Sequence, residues 1–113
     1  MGMSFTLRIK PLSINAAFCG RRFKTPAAKQ YDNAVALLLP KGKVNGEYYK
    51  VEYDFYLRNF AMVDIDNLIK NLQDCIVRKG IISDDRRILD CRARKFRSVV
   101  DSIDVKIEAT NVY

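Results

Sequence analysis

Asp64, Asp66 and Asp85, together with Lys70, are the side chains whose types and spacing could do chemistry in this sequence. The chain contains no histidine, which excludes an imidazole base and nitrogen ligation of a transition metal by side chains. Cys19, Cys75 and Cys91 are odd in number and widely spaced, with no CxxC pair, which argues against a disulfide framework and a structural zinc site. Carboxylates, lysine and a hard metal are what remain. Mg²⁺ prefers oxygen ligands and accepts few protein ligands plus waters, so three aspartates are an adequate set. Asp66 and Lys70 are four residues apart, one helical turn, which brings an ammonium to the edge of such an ion. There it would stabilise phosphate charge developing in a transition state.

The charge pattern points the same way. The 113 residues carry 20 Lys and Arg against 13 Asp and Glu, a net charge of +7, which favours a polyanionic partner such as nucleic acid. Residues 64–90 depart from this balance, holding five cations and six acids. An acidic island in a basic protein repels phosphate unless a divalent cation neutralises it. Arg21, Arg22 and Lys24, and later Arg92, Arg94 and Arg97, are the candidates for contact with a nucleic-acid backbone. Each feature also has a plainer reading. An aspartate at a helix start serves as an N-cap or dipole partner, Asp84 and Asp85 make a turn, Asp66 with Lys70 is a surface ion pair, and a run of arginines is a solvated face.

The elements that must position these groups follow from periodicity. Phe5, Leu7 and Ile9 alternate with polar residues up to Pro11, predicting a strand, and Pro11 to Lys24 has the composition of a loop. Thr25 before Pro26 reads as N-cap and first helical position, with Pro40 as the stop. Val51, Tyr53, Phe55 and Leu57 mark a second strand of period two. Ile65, Leu68, Ile69, Leu72, Cys75 and Ile76 form the stripe of a second helix, opened by Asp64 and Asp66 and stopped at Gly80. Alternation at 89–94 and again at 103–108 predicts a closing hairpin. The order β-α-β-α-β-β implies an α+β fold, a single domain over residues 1–113, with two helices on a small mixed sheet of about four strands. No apolar run approaches the roughly 20 residues of a membrane span and the N-terminus lacks a signal-peptide stretch, so a cytoplasmic protein is expected.

Asp64-Ile65-Asp66-Asn67-Leu68-Ile69-Lys70, a helical run to Gly80, and then Ser83-Asp84-Asp85 resemble the core of the RusA family of Holliday junction resolvases. The first strand followed by Pro11, Ser13, Asn15 and Phe18 is similar to that family's opening loop, with Phe18 where tyrosine is more usual. The resemblance implies a Mg²⁺-dependent endonuclease, acting as a homodimer, that binds branched DNA (four-way junctions) and nicks two strands symmetrically to leave 5′-phosphate ends. It implies metal binding by Asp64, Asp66 and Asp85 and a catalytic role for Lys70. Two rivals share parts of the pattern: a non-catalytic basic nucleic-acid-binding protein, and an RNA endonuclease with the same metal chemistry.

Overall fold

Local signals govern both helices. The computed structural model describes residues 2–10, 18–19 and 23–112. Its elements are β1 (Gly2–Leu7), the two-residue strands β2 (Phe18–Cys19) and β3 (Phe23–Lys24), α1 (Pro26–Leu38), β4 (Tyr48–Leu57), α2 (Ile65–Lys79), β5 (Ile88–Arg97) and β6 (Ser102–Thr110). Short 3₁₀ turns, Phe60–Met62 and Asp85–Arg87, flank α2. Thr25 caps α1, its hydroxyl accepting the Ala28 amide at 3.1 Å, with Pro26 at the first helical position. That position has no intrahelical use for the N–H that proline lacks. Gly80 ends α2 with φ +88°, a left-handed conformation that costs a Cβ-bearing residue more than glycine.

Four strands form one mixed sheet in the order β1-β6-β4-β5, and β2 pairs with β3 alone. β4 sits in the interior of the sheet, parallel to β5 on one edge and antiparallel to β6 on the other. Its alternation explains the placement. Tyr49, Val51, Tyr53, Phe55 and Leu57 are buried, while the residues between them are half-buried on the opposite, helix-free face. Ile103, Val105 and Ile107 of β6 extend the buried face, and Leu68, Leu72, Cys75 and Ile76 of α2 with Tyr31 and Val35 of α1 close over it. Each such side chain contributes about 1.5–3 kcal/mol by leaving water.

The closing hairpin expected from 89–94 and 103–108 is not formed. β4 lies between β5 and β6, and the residues 98–101 step across its end. Strands two places apart are separated by roughly 10 Å, which four or five extended residues span easily. The Ser98 amide donates to the Leu57 carbonyl (3.0 Å), and the Arg58 amide donates to the Asp101 carboxylate (2.9 Å), which fastens the step. Burying both edges of the most regularly apolar strand outweighs the local convenience of a hairpin.

The topology gives the molecule two ends. β4 and β5 run toward one end, where β1 finishes opposite the start of β6 and α2 begins; α2 returns to the other. At that second end the Arg87 guanidinium donates to the Glu47 carbonyl (3.1 Å) and the Val44 amide to the Ile81 carbonyl (3.0 Å). No helix among the described residues is long and apolar enough to cross a membrane.

Candidate active site

α2 is anchored to the sheet by its apolar stripe and by one polar residue within it. Gln73 accepts from the Tyr53 hydroxyl of β4 (3.1 Å) and from the Cys91 thiol of β5 (3.7 Å). The helix is therefore held against the two parallel strands, and its first residues are fixed at the ends of those strands. Asp64 is the N-cap and Asp66 lies in the first turn. Both are exposed. An N-cap aspartate ordinarily turns its carboxylate back to accept a first-turn amide, but Asp64 makes no such bond. Neither carboxylate has a hydrogen-bond or ion-pair partner among the described residues. Two uncommitted hard-oxygen groups thus share the start of one helix, where the macrodipole favours negative charge.

Asp85 is exposed too, in the 3₁₀ turn that follows α2. The 15 residues of α2 at 1.5 Å each separate it from Asp64 by about 22 Å along the helix axis. Among the described residues no three acidic or cysteine side chains come together as a group that could hold a metal ion. The convergence of Asp64, Asp66 and Asp85 within one chain is therefore not formed, because the helix between them carries the chain to the opposite end of the sheet. Lys70 is exposed and its ammonium meets Asp74 at 3.1 Å, not Asp66. The Cα–Cβ bonds of a helix tilt toward its N-terminus, so the short Asp74 side chain leans back one turn onto Lys70. An exposed pair of this kind contributes well under ~1 kcal/mol and yields readily to a phosphate.

Asp84 behaves differently from its neighbour. Its carboxylate caps the 3₁₀ turn by accepting the Arg86 amide (2.9 Å) and binds the Arg86 guanidinium at 3.0 and 2.7 Å. These hydrogen bonds from Arg86 hold its carboxyl well below the usual carboxylate range. Asp84 is thus a turn residue, as one of the sequence readings has it.

The candidate nucleic-acid cations separate into two groups. Arg92 and Arg94 stand on the helix-free face of the sheet. Arg94 forms a two-pronged pair with Asp54 (3.0 and 3.1 Å), and Arg92 lies 3.8 Å from Asp90. Arg97 lies at the end of β5, its guanidinium 5.2 Å from the centroid of the Phe60 ring, in the connection that leads to α2. Arg21 and Arg22 lie outside the described residues, as does the side chain of Lys24.

Sequence periodicity left several residues of the strand-end rim unread. Lys10 and Arg58 line one hollow with Asn59 and Asp101, and Arg8 is exposed on the same side. Arg8, Lys10, Arg58 and Arg97 have no ion-pair partner among the described residues. Lys95 is half-buried and donates to the carbonyls of Phe60 (2.9 Å) and Val63 (2.6 Å). The signal for it was available: Lys95 continues the odd-numbered phase of Leu89, Cys91 and Ala93, a lysine where the alternation calls for an inward apolar residue.

The protein family described as endodeoxyribonuclease RusA matches residues 13–108. No curated protein matches the chain.

Proposed function

Since the chain belongs to the RusA family of endodeoxyribonucleases, we propose that it resolves four-way DNA junctions by paired symmetric nicks that depend on Mg²⁺, as a homodimer, in recombination and repair. The observation that carries this reading is the pair of exposed carboxylates of Asp64 and Asp66, uncommitted among the described residues, at the same end of the sheet as Arg8, Lys10, Arg58 and Arg97, which have no ion-pair partner among those residues.

The donor set suits the ion. Mg²⁺ is commonly held by one or two carboxylates and keeps several waters, and Asp64 and Asp66 offer two such groups on an open surface. When bound, the ion supplies Lewis acidity at the scissile phosphate and activation of the attacking water. The protein's own groups do the rest. Arg97, Arg58 and Lys10 bind the backbone phosphates on either side and fix the strand's orientation, joined by Arg21, Arg22 and Lys24. Lys70 exchanges its weak contact with Asp74 for the phosphate whose charge grows during the reaction.

Asp85 finds its role through symmetry. A two-fold dimer presents each surface patch twice, so the Asp85 end of one copy serves the Asp64 end of the other, and one four-way junction meets two equivalent centres. Mixing Asp66→Asn and Asp85→Asn proteins tests this, since mixed dimers then retain one intact centre. Recovery of nicking by the mixture is expected, and none is expected if Asp85 acts within its own chain.

The function itself is tested by incubating the protein with a four-way junction, linear duplex, single-stranded DNA and RNA, in Mg²⁺ or EDTA. Paired nicking of the junction in Mg²⁺ alone is expected. Salt-sensitive binding with no metal-dependent cutting would establish the non-catalytic alternative, and cutting of RNA with the junction spared would establish the other.

A further inference from the structure

Lys95 is out of keeping with its surroundings. It sits on β5 opposite the fully buried Phe55, on the face that the helices cover. An ammonium there gives up water and is retained only where other groups replace it. The carbonyls of Phe60 and Val63 do so, together with the Phe60 ring, whose centroid is 4.7 Å from the nitrogen. All of these groups belong to the connection between β4 and α2, and Val63 immediately precedes Asp64.

A trans peptide is planar, with its carbonyl and its N–H on opposite sides. Fixing the Val63 carbonyl on Lys95 therefore turns the Asp64 amide away from β5 and sets the plane from which Asp64 departs. Asp64 is extended (φ −82°, ψ 137°) and its carboxylate stays off the first-turn amides. We propose that Lys95 is a positioning residue: by holding the Val63 carbonyl it keeps the Asp64 carboxylate off the helix end and free, beside Asp66, to take a hard divalent cation. Its charge opposes a neighbouring cation, so its contribution is one of direction. The inference rests on the metal reading above.

Calorimetric titration with Mg²⁺, in the absence of DNA, tests it on the full chain. Lys95→Met keeps the stem against Phe60 but loses the donors, and Mg²⁺ binding should weaken about tenfold while junction binding in EDTA stays within about twofold. Lys95→Arg keeps both charge and donors and should remain near wild type. Amide hydrogen exchange over Asp64–Asn67 should quicken in Lys95→Met and not in Lys95→Arg. The reverse ranking, with the methionine variant binding as wild type and the arginine variant impaired, would mean that Lys95 only fills space and would overturn the proposal. Lys95→Leu replaces the methionine variant, with the same two outcomes, if the latter does not fold. A wild-type chain that takes up no Mg²⁺ overturns the metal reading instead.

Discussion

The strand-end rim and the helix-free face of the sheet are both rich in cations, yet they use them in opposite ways. On the face, Arg94 is pinned to Asp54, Arg92 stands by Asp90 and Lys106 meets Glu108 at 3.0 Å. At the rim, Arg8, Lys10, Arg58 and Arg97 have no ion-pair partner among the described residues, and Asp64 and Asp66 at the start of α2 are equally uncommitted among them. The contrast teaches that net charge indicates what class of partner a protein meets, whereas unpaired charge indicates where. A cation already bound to a carboxylate releases fewer counterions to a phosphate than a free one does, so only the rim should carry the salt dependence of binding.

The largest effect that could break this contrast is on the acids. Asp66→Asn should lower junction nicking in Mg²⁺ by roughly a hundredfold or more, with gel-shift affinity in EDTA unchanged or higher. Nicking at the wild-type rate would remove the rim from the chemistry altogether. Next come the cations: Arg97→Ala should reduce the slope of log affinity against log salt by about one. Arg94→Ala should leave that slope alone and barely move the midpoint of urea unfolding. Equal slopes for the two variants would erase the distinction between paired and free charge.

The smallest effect concerns the Asp84–Arg86 pair at the other end of the molecule. Arg86 depresses the folded-state pKa of Asp84. Such an acid stabilises the fold fully above its unfolded value of about 3.9, and the contribution is lost as the pH falls below it. Asp84→Asn should therefore melt below wild type near neutral pH, with the gap closing as the solution is acidified. Its junction cleavage should be unaffected, which would sharpen the assignment of Asp84 to the paired, structural set.

How far the sequence could be read follows from how far apart the interacting residues are. Thr25-Pro26 and Gly80 act on their own neighbours, and the period of two in β4 is likewise a local property, so the helices and that strand were legible. The pairing of β5 and β6 with β4 in place of each other was not, because both arrangements present the same alternation, and burial of the edges of β4 decides between them. The site was legible in part for the same reason. Asp64 and Asp66 are neighbours, but the relation of Asp85 to them depends on the length and direction of a whole helix. Lys95 announced itself only by falling in an apolar phase, and its partners, Phe60 and Val63, lie 35 and 32 residues away.

The position of β6 between β1 and β4 also bears on how the protein is made. Until residues 102–110 have left the ribosome, β1 has no strand beside it and β4 has one open edge. The strands made before it must therefore wait, with edges exposed, for β6. A chain halted at the step over β4 would be left with sticky edges on β1 and β4.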